Sequence, residues 1–135
     1  MRKKNVLLIE NCVLDTILIS DSLQQNDEFC NIHLFEDGFE AVVQIENMLS
    51  SQNGNVPDLI VANEELIVIN GINILSKIKN IGNFFIPVII LTSNGTEGNP
   101  HFIQGTCCYV NKPLEVREFI GVFKEIKHYW LTLAN

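Results

Sequence analysis

The sequence has few basic residues: nine Lys and Arg stand against sixteen Asp and Glu, which gives a formal net charge of -7. A chain of this charge repels phosphate backbones, so we expect no nucleic-acid partner. Long apolar runs are also absent. The longest, Phe84–Leu91, contains Pro87 and is far shorter than the roughly 20 residues that a membrane-spanning helix needs. These absences exclude nucleic-acid binding and membrane spanning from the expected functions.

The cysteine pattern offers neither a disulfide framework nor a metal site. The chain has four cysteines without C-x-x-C spacing and only three histidines. We therefore expect buried free thiols in a reducing compartment. The basic N-terminus precedes only four apolar residues before Glu10 and Asn11 interrupt them, which is too short for a signal peptide. The predicted localisation is cytoplasmic.

The distribution of apolar residues predicts a single domain over residues 1–135. At this length, 47% hydrophobic residues can form a sizeable core. Short apolar runs alternate with amphipathic stretches, which is typical of an α/β fold with parallel strands and helices on both faces. We predict a doubly wound, five-stranded parallel sheet of flavodoxin-like order 2-1-3-4-5, with strands at Asn5–Ile9, Asn31–Phe35, Asp58–Ala62, Pro87–Leu91 and Cys107–Val110.

Helical spacing of apolar residues predicts four helices, at Val13–Gln25, Gly38–Ser50, Ile72–Asn80 and Glu115–Leu133. In the first, Asn11 is the expected cap, and the residues expected on one face are Val13, Leu14, Ile17, Leu18 and Leu23. The second repeats the pattern through Phe39, Val42, Val43, Ile45 and Leu49. A further helix is expected between the fourth and fifth strands, where it would be the fourth along the chain. Turn-forming residues leave only Pro100–Gln104 for it, so it should be short or irregular.

Polar residues follow the predicted strands at their C-terminal ends, where ligands bind in doubly wound sheets. These residues are Glu10 and Asn11 after the first strand, Asn63 after the third, Thr92 after the fourth and Lys112 after the fifth. We expect them to meet in one crevice. The alternative for Asn63 is a neutral loop residue that caps the following turn.

This set of residues resembles the receiver domain of response regulators. The resemblance covers nearly the whole chain, through Val6–Asn11, Pro57–Asn63, Asn70–Gly71, Pro87–Thr92 and Tyr109–Pro113. The ending His128–Leu133 also resembles single-domain regulators that partner phytochrome-type histidine kinases. In that family, two acids after the first strand and an aspartate after the third bind magnesium, and the aspartate accepts a phosphoryl group from the kinase.

The resemblance also exposes departures inside the site. Asn11 stands at the second acidic position, Asn63 at the phosphoacceptor and Ile67 at a usual proline. Thr92 and Lys112 match the family's hydroxyl and lysine, and Tyr109 matches the aromatic that changes rotamer with the hydroxyl. The chain is therefore similar to a degenerate, or pseudo-, receiver.

Charge counting leads to an expectation about metal. Clustered carboxylates need a cation, since two unit charges about 4 Å apart repel by roughly 4 kcal/mol at an effective dielectric of 20. Here we expect Glu10 alone to face Lys112, a one-to-one balance, so magnesium binding should be weak or absent. Glu10 remains a weak candidate metal ligand, and Glu64 and Glu65 offer an alternative by which an acidic cluster is rebuilt.

The favoured function is a non-enzymatic, phosphorylation-independent interaction module for signal transduction. Its expected partner is a protein: a histidine kinase, another signalling protein, or a second copy in a homodimer. The candidate interface lies around the fifth strand and last helix, with Phe119 and Phe123 expected in the core beneath Cys107, Val110, Tyr129 and Trp130. The alternative is a phosphorelay receiver phosphorylated by a variant route, or after conversion of Asn63 to aspartate. A flavodoxin-like cofactor carrier is disfavoured, because the loop after the first strand has no glycine to cradle phosphate.

Overall fold

The computed structural model describes residues 4–24, 30–50, 56–70, 72–78, 86–93 and 107–128. Seven strands lie in these ranges: β1 (Lys4–Ile9), β2 (Cys30–Phe35), β3 (Leu59–Asn63), β4 (Val68–Ile69), β5 (Ile72–Asn73), β6 (Val88–Thr92) and β7 (Cys107–Asn111). Five of them form a parallel sheet in the order β2-β1-β3-β6-β7, while β4 and β5 pair in a small antiparallel hairpin.

The large sheet confirms the predicted order 2-1-3-4-5, with β6 and β7 as its fourth and fifth strands. Each of its strands begins and ends within one residue of the predicted bounds. Apolar runs form the central strands because a central parallel strand is covered on both faces. All five residues of β3 and all five of β6 are buried.

Within the described residues, four α-helices and one 3₁₀ helix accompany the sheet: α1 (Val13–Gln24), α2 (Gly38–Ser50), α3 (Glu64–Ile67), the 3₁₀ helix (Ile74–Lys77) and α4 (Val116–Ile126). Alternate strand residues point to opposite faces, so the sheet carries two apolar clusters. One packs β1, β3 and β6 against α2, α3 and the 3₁₀ helix, and includes Leu7, Ile9, Ala41, Ile45 and Ile60. The other packs the opposite face against α1 and α4, and includes Val6, Leu8, Ile19, Leu23, Phe119 and Phe123. The core positions expected for Phe119 and Phe123 are confirmed.

The start of α2 lies directly against α3. Gly38, the first residue of α2, is buried, and a Cβ atom there would overlap the carbonyl oxygen of Leu66. Only glycine allows this close approach of two backbones. The contact fixes the short helix that follows Asn63, and with it one wall of the strand-end crevice.

The helix predicted over Ile72–Asn80 is wrong in type. Asn70 has a positive φ of 52° and turns the chain into the β4–β5 hairpin. Asn73 then caps the 3₁₀ helix, because its Oδ1 accepts a hydrogen bond from the backbone nitrogen of Leu75 at 2.9 Å. The apolar spacing was still informative, since Ile74, Leu75 and Ile78 are buried.

The first two helices bury only part of the faces that their apolar patterns predicted: Leu23 in α1 and Ile45 and Leu49 in α2 are buried. In α1, Val13, Leu14 and Ile17 are exposed, and the buried residues are Ile19, Ser22 and Leu23. Apolar residues surround this helix on most sides, so periodicity alone does not select the packed face. In α2, Phe39 and Val43 are also exposed.

The described cysteines differ in their exposure to solvent. Cys30 is buried, Cys108 is half-buried and Cys12 is exposed, so the expectation of buried thiols is wrong for Cys12. Desolvation by burial raises the pKa of the Cys108 thiol. Within the described ranges, no helix combines the length and apolar character needed to cross a membrane. The segment 94–106, which contains the predicted short helix, and the end of the last helix beyond residue 128 lie outside the described residues.

Candidate functional site

The strand-end side chains meet in one crevice, as the sheet order requires. Glu10 follows β1, Asn63 ends β3, Thr92 ends β6 and Lys112 follows β7. Glu10, Asn63 and Thr92 are buried, with 0%, 7% and 5% of their surface exposed, and the Lys112 side chain is only 12% exposed. These polar groups are therefore largely removed from water and need partners within the protein.

Asn63 uses both ends of its carboxamide. Its Nδ2 donates a hydrogen bond to Glu10 Oε1 at 2.9 Å. Its Oδ1 accepts one from the backbone nitrogen of Glu65 at 3.0 Å, which caps the N-terminus of α3. The capping role and the position in the crevice, considered as alternatives from the sequence, hold together in the same side chain.

Glu10 is the acceptor at the centre of this network. Its Oε1 accepts hydrogen bonds from the backbone nitrogens of Asn11 and Cys12, at 3.1 and 3.2 Å, in addition to the bond from Asn63. Its Oε2 lies 2.9 Å from Lys112 Nζ, which is the expected ion pair. That oxygen is buried and receives no well-aligned hydrogen bond from the described residues, so charge attraction is the main contribution of the contact.

Lys112 has a second partner that the sequence did not suggest. Its Nζ donates a hydrogen bond to Asp15 Oδ2 at 2.7 Å, shorter than its contact with Glu10. The expected one-to-one charge balance is therefore wrong: two carboxylates face one ammonium group. Asp15 is the third residue of α1, and its position in the first turn of the helix after β1 is the signal that could have revealed it.

The pKa of Lys112 reflects these partners. Desolvation by burial is the largest single influence and lowers the pKa, but the hydrogen bonds and charges of Asp15 and Glu10 together outweigh it. The pKa of Lys112 consequently lies above its ordinary value. The ammonium form is stabilised in place and joins α1 to the segment after β7.

Thr92 is also engaged with a neighbour. Its hydroxyl donates a hydrogen bond to the side-chain Oδ1 of Asn111 at the end of β7. The adjacent backbone completes the junction, because the nitrogen of Lys112 donates to the carbonyl of Thr92 at 2.7 Å. Asn111 was not singled out from the sequence, although it occupies the last position of the strand that precedes Lys112.

The other predicted site residues lie nearer the edge. Asn11 is exposed, and the helical bond from Thr16 to the carbonyl of Cys12 makes Cys12 the cap of α1, one residue later than expected. Tyr109 is half-buried and packs against the cluster shared by the sheet and α2. Glu65 is exposed and accepts a hydrogen bond from Ser93 at 3.3 Å. In the part of the chain that the structure describes, no three Asp, Glu, His or Cys side chains form a group able to hold a metal, so the cluster of Glu10, Glu64 and Glu65 is not formed.

Of the four residues of the candidate interface, the structure describes the side chain of Val110. Val110 is half-buried and packs against the cluster under α1 and α4. The side chain of Cys107 and all of Tyr129 and Trp130 lie outside the described residues. The assignment of this surface to a partner therefore stays a prediction.

The sheet order is that of a doubly wound α/β protein, and the strand-end residues resemble those of receiver domains of the two-component response-regulator type, the class to which similar proteins belong. A comparison with protein-family models finds no match. Response regulator Rcp1 of Synechocystis sp. PCC 6803 is 24% identical to the chain over 135 residues, covering 98% of this chain and 92% of Rcp1.

Solved structures of the same class are also similar. The phosphorylated cyanobacterial phytochrome response regulator RcpA matches with a TM-score of 0.76 and 25% identity, over 98% of this chain and 97% of RcpA. The Mn(2+)-bound form of Rcp1 matches with a TM-score of 0.75 and 24% identity, over 96% of this chain and 95% of that structure. At 24% identity, the comparison with the Mn(2+)-bound form of Rcp1 supports the fold alone.

Proposed function

We propose that this receiver domain acts in signal transduction as a phosphorylation-independent interaction module and catalyses no reaction of its own. The contact that carries the proposal is the 2.9 Å hydrogen bond from Asn63 to Glu10. A carboxamide is a poor nucleophile, and both of its polar atoms are already engaged with the protein. Phosphoryl transfer needs a positioned nucleophile, and the phosphoacceptor position does not supply one.

The donor set does not fit a resident magnesium ion. Hard cations favour several carboxylate oxygens, whereas this crevice offers one buried carboxylate next to a neutral amide. The Lys112 ammonium lies 2.9 Å from Glu10 and 2.7 Å from Asp15, so it already supplies the positive charge that a metal would bring. We therefore propose that magnesium binding is weak or absent, although the charge balance differs from the one expected.

A second candidate function has one observation in its favour. Asp15 brings a second carboxylate to the crevice, which compensates in part for the missing acid at Asn11. If Lys112 moved away, Glu10 and Asp15 would face an incoming cation together. The similar proteins RcpA and Rcp1 were solved phosphorylated and with Mn(2+), respectively. A phosphorelay receiver that works by a variant route is therefore the alternative.

The partner, in this proposal, is a protein such as a histidine kinase in the cytoplasm. Three exposed apolar residues of α1 support a docking role: Val13, Leu14 and Ile17 are 73%, 58% and 51% exposed. Leu114 is fully exposed and lies two residues after Lys112, whose side chain is bonded to Asp15 of α1. The surface around β7 and the last helix, with Cys107, Val110, Tyr129 and Trp130, remains the proposed second interface, for a signalling partner or a homodimer.

Intact mass spectrometry after incubation with acetyl phosphate and magnesium tests the proposal. The wild-type chain should gain no phosphoryl adduct. Asn63→Asp alone should be phosphorylated poorly, because Asn11 still lacks a charge, and the pair Asn11→Asp with Asn63→Asp should bind magnesium more tightly. The double variant serves as the positive control for the assay.

Two results would decide against this function. A phosphoryl adduct on the wild-type protein favours the variant phosphorelay route, and Asp15→Asn should then abolish it. Tight magnesium binding in a calorimetric titration of the wild-type protein would contradict the proposed charge balance, even without phosphorylation.

A further inference from the structure

The charges of this chain are unevenly distributed along the sequence. Between Asn5 and Ser76 there are twelve Asp and Glu residues and not a single Lys or Arg. All nine basic residues lie outside that stretch. The elements that it forms, from β1 through α1, β2 and α2 to β3, therefore present an acidic surface wherever their charged side chains reach solvent.

Within this acidic half, α2 carries an apolar pair on its outer face. Phe39 and Val43 are each 57% exposed, while Ala41, Ile45 and Leu49 hold the opposite face of the helix against the sheet. Residues four apart are neighbours on a helix surface, so the aromatic ring and the branched side chain form one continuous patch. Their exposure costs solvation free energy that a partner could recover.

Carboxylates surround this pair. Glu36 and Asp37 lie in the turn that precedes α2, and Glu40 and Glu46 are exposed on the helix itself. Asp37 caps the helix, since its Oδ1 accepts from the backbone nitrogen of Phe39 at 2.9 Å, but the exposed side chains of Glu36, Glu40 and Glu46 point to solvent. An apolar centre with an acidic rim is the complement of an apolar stripe with basic flanks.

We propose that the outer face of α2 docks a cationic amphipathic helix of a partner protein. The partner's apolar stripe would pack on Phe39 and Val43, and its Lys or Arg side chains would reach Glu40 and Glu46, as charged flanking positions do in a coiled coil. A symmetric pair of these faces from two copies would bring two acidic rims together, and anionic lipid headgroups would be repelled in the same way. The surface contains no residue of the crevice, so this proposal does not depend on whether the protein is phosphorylated.

Fluorescence anisotropy with two designed peptides tests the proposal on the full chain. The cationic probe is about three heptads long, with Leu at the a and d positions and Lys at e and g, and its twin carries Glu in place of Lys. The cationic probe should bind and the anionic twin should not. Binding should weaken as salt is raised, because part of the attraction is between exposed charges.

Variants locate the binding site. The pair Phe39→Ser with Val43→Ser should weaken binding of the cationic probe by about tenfold or more, as expected when central apolar contacts are lost. Glu40→Gln with Glu46→Gln should also weaken it and flatten the salt dependence. The matched control is Ile72→Ser with Val116→Ser, two similarly exposed apolar residues on β5 and α4, which should leave the affinity unchanged. Val43→Ser alone replaces the first variant if the double change removes the thermal transition.

Three results would overturn the proposal. Equal affinity for the anionic twin would show that charge does not select the partner. An equal loss of affinity in the control variant would place the contact elsewhere or make it nonspecific. Sedimentation showing that the wild-type chain self-associates, and that Phe39→Ser with Val43→Ser makes it monomeric without affecting the probe, would assign the face to a second copy instead.

Discussion

The strand-end crevice and the outer helix faces use their side chains in opposite ways. In the crevice, the charged and polar groups of Glu10, Asn63 and Lys112 are buried and bonded to one another. On α1 and α2, large apolar side chains such as Val13 and Phe39 are exposed to solvent. The polar groups of the crevice are thus engaged within the protein, while the apolar groups of the helix faces are available to a partner.

This contrast indicates which surfaces gain free energy when a partner binds. A buried network in which each group has a partner stabilises one arrangement, and opening it leaves charges unpaired at a cost. Exposed apolar surface contributes little to the isolated fold and becomes favourable when a partner covers it. Under the proposed function, the crevice acts as a structural centre, and the helix faces are the candidates for communication.

The largest expected effect comes from removing the cation of the crevice. Lys112→Ala would leave Glu10 fully buried without its countercharge, which costs about 3 kcal/mol of unfolding free energy, since breaking a buried pair exceeds the net value of the pair. Urea denaturation at neutral pH measures the loss.

Two control variants test the same unfolding free energy on the exposed helix faces. Lys124→Ala removes an exposed lysine of α4, and Leu14→Ser removes an exposed apolar side chain of α1. Both should change the unfolding free energy by less than about 0.5 kcal/mol. A Lys112→Ala protein as stable as the wild type would refute the ion pair as a structural centre.

A smaller effect is expected when the carboxamide of Asn63 is exchanged for a carboxylate. Asn63→Asp keeps the oxygen that caps α3 but replaces the donor that lies 2.9 Å from Glu10 with a second negative charge. The repulsion should cost about 2 kcal/mol in the absence of divalent cations. Thermal melts with and without magnesium measure both the loss and any recovery.

Asn73→Asp is the matched control for that change. Asn73 caps the 3₁₀ helix through the same kind of hydrogen bond, with its Oδ1 accepting from Leu75 at 2.9 Å, and it lies outside the crevice. Its replacement should leave stability nearly unchanged. Equal destabilisation of the two variants would mean that a negative charge at a capping position, and not repulsion from Glu10, explains the effect.

Much of the fold followed from the sequence because its strands are short apolar runs separated by amphipathic stretches, a pattern with few alternatives. The order of the large sheet and the positions of its strand ends were predicted, and so was the meeting of Glu10 with Lys112. The apolar periods of α1 and α2 included Leu23, Ile45 and Leu49, which are buried, but also residues such as Val13 and Phe39 that are exposed. Tertiary packing decides which apolar side of a helix is covered. The region after β3 failed because Asn70 and Asn73 direct a hairpin and a 3₁₀ turn that hydrophobic spacing does not encode.

Asp15 and Asn111 were missed for a different reason. Reading only the one or two residues after each strand leaves out Asp15, and the choice of Lys112 after the fifth strand passed over Asn111. Asp15 reaches it from the first turn of α1, and Asn111 from the last position of β7. Their contacts depend on side-chain length and direction across elements distant in the chain, which no local pattern records.

The smallest expected effect is a dependence of stability on alkaline pH that is specific to Lys112. Because Asp15 and Glu10 hold the pKa of Lys112 above its ordinary value despite burial, the folded chain keeps the proton after the unfolded chain has lost it. The contribution of the ammonium group is therefore fully present below the ordinary lysine pKa of about 10.4 and is lost as pH rises through the folded pKa, by up to about 1.4 kcal/mol per pH unit. The difference in unfolding free energy between the wild type and Lys112→Ala should stay constant from pH 7 to about 10 and shrink above it. Since the other lysines and the tyrosines titrate in both proteins, parallel curves throughout would mean that the crevice does not hold this proton.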